Sequence, residues 1–341
     1  MHRPKLSVVV PCYNEEACLD MLHARISGAA KAAVGDDYEI VLINDGSRDK
    51  SWQVMQRLSA ADPHLVALNL SRNHGHQLAL TAGLDLCAGD EILIIDADLQ
   101  DPPELLAEMR VAMREQGADV VYAVRRKREG ESIFKKLTAA FFYRMLDRIT
   151  DTPIPLDTGD FRLMTRRALD AFLSLPEQAR FIRGMVAWIG FKQIPFAYDR
   201  HERHAGESKY PLGKMIRFAL DAITGFSTAP LRFASHVGLV LTAASLLLML
   251  YIVIGWLMGT AVQGWTSTML VVVFLGAVQM FVLGMIGEYL GRLYVESKRR
   301  PLYLVADVAG PVKGRASLGY RFEDSGEVLV APQSVRGELS E

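Results

Sequence analysis

Asp96-Ala-Asp98-Leu-Gln100-Asp101 sets two carboxylates one residue apart, directly after the apolar run Glu91–Ile95. Carboxylates at that spacing can face one hard cation. Magnesium and manganese take oxygen ligands and keep places for waters and substrate phosphates. A local reading competes: Asp98 or Asp101 could cap the helix that Pro102-Pro103 begins. Two more polar loops follow apolar runs. In Pro11-Cys-Tyr-Asn-Glu15, Tyr13 offers a ring on which a base can stack, and Glu15 opens a helical pattern, where a carboxylate also compensates the dipole. In Asn44-Asp45-Gly-Ser47, Asp45 can accept a hydrogen from a base imide, although these residue types equally make a turn. His74-Gly-His76 could line a ligand pocket and has no further ligands for zinc. His201 and His204 carry no assignment.

The elements that must position these loops are legible. Leu6–Val10, Glu39–Ile43, Leu65–Leu70, Glu91–Ile95 and Asp119–Val124 are short apolar runs of the kind that form buried parallel strands. Helical patterns separate them at Glu15–Ala33, Asp49–Ala61, His76–Ala88 and Pro103–Gln116. The alternation predicts a doubly wound α/β, Rossmann-like sheet, in which ligands bind outside the carboxyl ends of the strands. All three acidic loops lie at such ends and converge on one crevice. The expected organisation is a ligand-binding α/β domain over 1–131, an intervening region over 132–234, a helical hairpin over 235–290 and a polar tail over 291–341.

The hairpin rests on two uncharged stretches, the 22 residues Val237–Met258 and the 21 residues Thr266–Ile286. Each is long enough to cross a bilayer as a helix. Lys214, Arg217 and Arg232 precede them and Arg292, Lys298, Arg299 and Arg300 follow, which directs both chain ends to the cytoplasm. Trp256 and Trp265 suit the far interface, and Gly276, Gly284, Gly287 and Gly291 line one helix face, where they permit close helix contact. Ser132–Ile149 and Pro211–Ser235 carry apolar faces with basic flanks, fitting helices in the headgroup plane. The net charge of −1 excludes a nucleic-acid footprint. Three cysteines without a CxxC pair exclude a disulfide framework.

VVVPCYNEE, NDGSRDKS and DADLQDPPE resemble glycosyltransferase family 2. GDFRLM, GESKYP and the two apolar spans narrow the resemblance to the polyisoprenyl-phosphate glycosyltransferases. Asp157-Thr-Gly-Asp-Phe-Arg-Leu163 is most similar to the bactoprenol glucosyltransferase branch. The resemblance covers about residues 5–305. It implies a GT-A-type fold and inverting transfer of a hexose, glucose first, from a UDP-sugar to undecaprenyl phosphate at the cytosolic face of the inner membrane. By motif, Pro11, Tyr13, Glu15 and Asp45 bind the uridine, Asp96 sits near ribose or metal, and Asp98 and Gln100 hold Mg2+ or Mn2+ on the diphosphate. Asp157 is the candidate base, or else orients the sugar, and Asp160 is the competing carboxylate. An anionic acceptor needs cations: Arg125, Arg203, Ser208 and Lys209 are the candidates, with Arg126, Lys127 and Arg128 facing lipid. A homo-oligomer (tetramer) and a separate flippase are candidate partners.

Other sugars (mannose, aminoarabinose, N-acetylhexosamine) fit the same motifs. A processive polysaccharide synthase would carry QxxRW, and Gln178-Ala-Arg180-Phe181 does not match it. A non-catalytic membrane scaffold is the rival of another class, and intact Asp96, Asp98 and Gln100 argue against it.

Overall fold

The computed structural model describes residues 3–125, 158–198, 229–258, 264–311, 316–317, 320–322 and 328–330. Five β-branched runs form strands β1 (Leu6–Cys12), β2 (Tyr38–Asn44), β3 (Leu65–Leu70), β4 (Glu91–Ile94) and β5 (Val120–Arg125). Helices α1 (Leu19–Val34), α2 (Ser51–Ala61), α3 (His76–Leu86) and α4 (Leu106–Gln116) alternate with them, α4 after a 3-10 turn at Pro103–Leu105. Every residue of β1 and β2 is buried, as expected of strands covered on both faces. Leu6, Val8 and Val10 pack with Leu19, Leu22 and Ile26 of α1, while α3 covers the opposite face of β1 and β2. β1, β2, β3 and β4 are parallel, so the loops after them share one edge of the sheet.

The sheet is mixed rather than wholly parallel. β6 (Thr158–Thr165) inserts antiparallel between β4 and β5, and β7 (Gln193–Tyr198) extends β5 in parallel. Helices α5 (Arg166–Leu173) and α6 (Ile182–Trp188) lie between β6 and β7 in the chain. Backbone pairing over long sequence separation decides strand order, and apolar patterning does not report it. The expected helix start at Glu15 also moves: α1 begins at Leu19, and the Glu15 carbonyl accepts from the Cys18 and Leu19 N–H groups in a preceding turn. All three cysteines are free.

The polar segment after Arg300, expected as a tail, supplies β8 (Val305–Ala309), an antiparallel edge strand on β3. The eight-stranded order is β7-β5-β6-β4-β1-β2-β3-β8. Short strands β9 (Ala316–Ser317), β10 (Tyr320–Phe322) and β11 (Val328–Val330) make a separate antiparallel sheet. Just before β8, the Tyr303 hydroxyl donates to Asp85 Oδ2 at 2.8 Å. Burial drives the Asp85 carboxyl up to about 7, against Tyr303 and Arg180. A carboxyl raised by folding holds its proton more tightly folded than unfolded. Its stabilising contribution is therefore full below about pH 4 and lost as the pH rises to the folded value. Asp85→Asn keeps an acceptor for Tyr303 and removes the charge. It is expected to raise the unfolding free energy, and with it the melting temperature, near pH 8, by on the order of 4 kcal/mol at most, and to do nothing near pH 4. Equal shifts at both pH values would contradict this.

A second compact unit holds α7 (Ala229–Leu257) and α8 (Trp265–Ser297). The two helices touch each other. Within α8, Val271–Ser297 is long and apolar enough to cross a membrane, and none of its apolar window is buried. The shorter apolar stretch Phe233–Leu248 lies in α7. Charge returns with an Arg292–Glu288 ion pair at 3.3 Å, close to the expected end of the second span. Among the described residues, nothing lies within 4 Å of a Cβ built at Gly276, Gly284, Gly287 or Gly291.

Candidate active site

The carboxyl ends of β1 and β2 are tied together by hydrogen bonds between their loops. The Asn14 N–H donates to Ser47 Oγ at 2.9 Å, and Arg48 N–H returns a bond to Asn14 Oδ1 at 2.8 Å. Glu15 N–H donates to Ser51 Oγ at 2.9 Å. Tyr13, on this brace, is 41% exposed, which leaves its ring free to stack. Asp45 is buried, and its two oxygens accept from His74 N–H (2.7 Å) and Gly75 N–H (3.0 Å). Burial raises its carboxyl even against those bonds. Gly46 must be glycine: its φ is +62°, and a Cβ would lie 2.4 Å from the Arg72 backbone.

The loop after β4 approaches the same place. Burial raises the Cys12 thiol well above its usual range, and the charges of Glu15 and Asp96 add to this. Burial, then Glu15 and Asp98, also raise the Cys18 thiol. The first and fourth loops therefore share one electrostatic neighbourhood. Asp98 Oδ1 accepts from the Gln100 N–H at 3.1 Å, closing a turn over Leu99, which is buried with φ +59°. That left-handed leucine costs on the order of 1 kcal/mol and sets the aim of its two neighbours. Asp101 is buried and accepts from the Tyr198 hydroxyl. The residue flanking the 3-10 turn that follows is Pro102, which makes no side-chain cap.

Beside Asp96 lies a buried ion network. β6 runs antiparallel to β4 with Arg162 opposite Ile94, which brings Asp160 to the end of β4. Asp160 accepts from His76 Nε2 at 3.0 Å, Arg183 Nε at 2.9 Å and Gln77 Nε2 at 3.4 Å. Buried Arg162 reaches it at 3.7 Å. Burial opposes ionisation of Asp160, but His76, then Arg183 and Arg162, outweigh it and hold the carboxyl far below the usual range. Burial likewise lowers Arg162, to about 10. At His76 burial favours the neutral ring, yet the Asp160 bond and the Asp96 charge win and raise the imidazole. Asp96 is pushed up to about 6 by burial and by Asp160, Asp101 and Asp98, against His76.

Two donor sets could hold a cation. The ligand atoms of His76, Asp96 and Asp160 lie within 4.8 Å of one another. The His76 bond and two arginines at Asp160 compete with a cation for that carboxylate. The Asp96 and Asp98 carboxylates and the Gln100 amide oxygen are hard acceptors, and Asp96 Oδ1 is buried without a hydrogen bond, with His76 Nε2 3.6 Å away. This second set fits a hard cation.

Residues 7–173 match the family described as Glycosyl transferase family 2, and 229–293 match the GtrB C-terminal hairpin. The glycosyltransferase YkcC of Bacillus subtilis (strain 168) is 46% identical over 300 residues, covering 88% of this chain and 92% of its own. The chain belongs to glycosyltransferase family 2. A bactoprenol glucosyl transferase of Shigella phage SfV is 38% identical over 302 residues, covering 88% of this chain and 98% of its own. The solved structure of S. aureus TarS 1-349 in complex with UDP-GlcNAc is 18% identical and has a TM-score of 0.45, over 64% of this chain and 65% of that one.

In this family 2 glycosyltransferase, Pro11, Tyr13, Glu15, Asp45, Asp96, Asp98 and Gln100 all stand at the carboxyl edge of the sheet. Arg125 closes β5. Asp157, Arg203, Ser208 and Lys209 lie outside the described residues, as do Arg126, Lys127, Arg128 and the stretch 132–149. Arg183 and Gln77 escaped the sequence reading because neither sits in a motif. Arg162 was visible only as part of GDFRLM, without a role.

Proposed function

We propose that this glycosyltransferase transfers glucose, with inversion, from UDP-glucose to undecaprenyl phosphate at the cytosolic face of the membrane. The observation that carries the reading is one chain joining a family 2 transferase domain to a matched GtrB hairpin. A relative identical at 38% over most of both chains is named for glucosyl transfer to bactoprenol. A hairpin fits an acceptor that cannot leave the bilayer. Its two helices anchor the enzyme with both ends in the cytosol. They are too few to make a pore in one chain, so a separate flippase or a homo-oligomer such as a tetramer would move the product.

Tyr13 stacks on the uracil, with Pro11 and Glu15 beside it. Asp45 braces the loop beneath the base and keeps lone pairs for the imide. Asp96, Asp98 and Gln100 would hold Mg2+ or Mn2+, which neutralises charge on the departing diphosphate. The acceptor phosphate is already anionic near neutrality and needs little deprotonation. Asp157 therefore orients the sugar or screens the positive anomeric centre more than it removes a proton. Arg125, Arg203, Ser208 and Lys209 bind the acceptor phosphate.

The test is purified full-length protein with undecaprenyl phosphate and a panel of nucleotide sugars, read by mass spectrometry. The expected product is the lipid carrying one hexose, formed with UDP-glucose. Product from another donor alone overturns the sugar assignment, and lipid carrying many sugars turns the reading to a processive synthase.

A further inference from the structure

Neither matched family segment reaches residues 303–310, yet four contacts fasten these residues to the donor side of the sheet. β8 pairs with β3 from Ala67↔Ala309 to Leu70↔Val305, with a register shift at Asn69/Leu70. The Leu304 carbonyl accepts from Ser71 N–H at 2.8 Å, and the Leu304 N–H donates to His74 Nε2 at 3.4 Å. Buried Tyr303 is bonded to Asp85 of α3. At the far end Gly310 has φ +98°, and a Cβ there would lie 2.3 Å from the Leu65 carbonyl oxygen. Only glycine lets the strand finish so close to β3.

These contacts bracket residues 71–75, which have no helix or strand of their own. Such a loop takes its shape from what it touches. On its inner side His74 and Gly75 bond Asp45, and Arg72 and Asn73 cover Gly46. His76, the next residue, bonds Asp160. On its outer side the loop meets Leu304. Burial and Arg72 lower the His74 imidazole, which suits the acceptor role of its Nε2 toward Leu304.

We infer that Tyr303 and Leu304 are positioning residues for the nucleotide-sugar pocket: as a strut, they hold the 71–75 loop in the shape that Asp45 and His76 require. The inference rests on the donor-binding reading above. It also means that cutting the chain before the hairpin removes part of the donor site together with the anchor. Loss of activity in such a truncation would not isolate anchoring.

The test uses full-length Tyr303→Ala and Tyr303→Phe. Hydrogen exchange of residues 71–76 is expected to accelerate in both, with β1 amides unchanged. With UDP-glucose and undecaprenyl phosphate, donor KM is expected to rise about tenfold in Tyr303→Ala and about threefold in Tyr303→Phe, with kcat and lipid KM within about twofold of wild type. If Tyr303→Ala does not fold, Tyr303→Phe decides. Unchanged exchange at 71–76, unchanged donor KM in the folded variants, or a fall in kcat alone overturns the strut. A wild-type enzyme inert toward UDP-glucose overturns the proposed function instead, and exchange then decides the strut.

Discussion

Asp98→Ala is expected to lower glucosyl transfer by about 10³-fold or more while leaving the protein folded and in the membrane fraction. A cation that neutralises a departing diphosphate contributes several kcal/mol, and each ~1.4 kcal/mol is a factor of ten in rate. The fold loses little by comparison. Asp98 is only partly buried, and its bond to the Gln100 N–H is a local turn; a bond of that kind contributes about 1 kcal/mol. Chelating the wild-type enzyme with EDTA should reproduce the loss, and added Mn2+ or Mg2+ should reverse it for wild type alone. Turnover of Asp98→Ala at the wild-type rate would remove Asp98 from the cation site.

Asp160→Asn is expected to act chiefly on stability. Asp160 and Arg162 are both buried, and Arg183 and His76 also depend on that carboxylate. Removing one partner leaves uncompensated buried charge, which costs about 3–5 kcal/mol. For a domain of this size that lowers the melting temperature by roughly 10 °C. The double change Asp160→Asn with Arg162→Met should recover much of the stability, because removing both charges of a buried pair is often neutral. Activity should fall in both, since the charge that holds His76 and Arg183 in place is removed. A melting temperature within about 2 °C of wild type in Asp160→Asn would show that the network does not hold the fold. The sign with pH follows from the depressed Asp160 carboxyl. Its stabilising contribution is full above the unfolded value near 4 and fades as the pH falls below it.

The local parts of this enzyme were legible before any coordinates. Leu6–Val10 and Glu39–Ile43 read as buried strands because both faces are apolar, and they are. The positions of DADLQD and NDGS after such runs placed Asp96, Asp98 and Asp45 at strand ends, where parallel topology brings them together. The two uncharged stretches announced the hairpin helices. Each of these signals is carried by neighbouring residues, through side-chain periodicity or through the residue types that turns demand.

The tertiary structure alone decided the rest. β6 enters between β4 and β5, and that antiparallel register sets Asp160 against His76 and Arg183, residues 84 and 23 positions away. Polar residues after Arg300 read as a tail, yet backbone hydrogen bonds to the open edge of β3 make a strand of Val305–Ala309. Ladder bonds use the backbone, which every residue shares, so composition does not reveal which edge a segment will find. Asp45 read as a group for a ligand and proved to brace a loop as well, because a buried carboxylate takes whatever N–H groups folding brings within reach. Residue types thus determined which chemistry was available, and long-range pairing determined which groups meet.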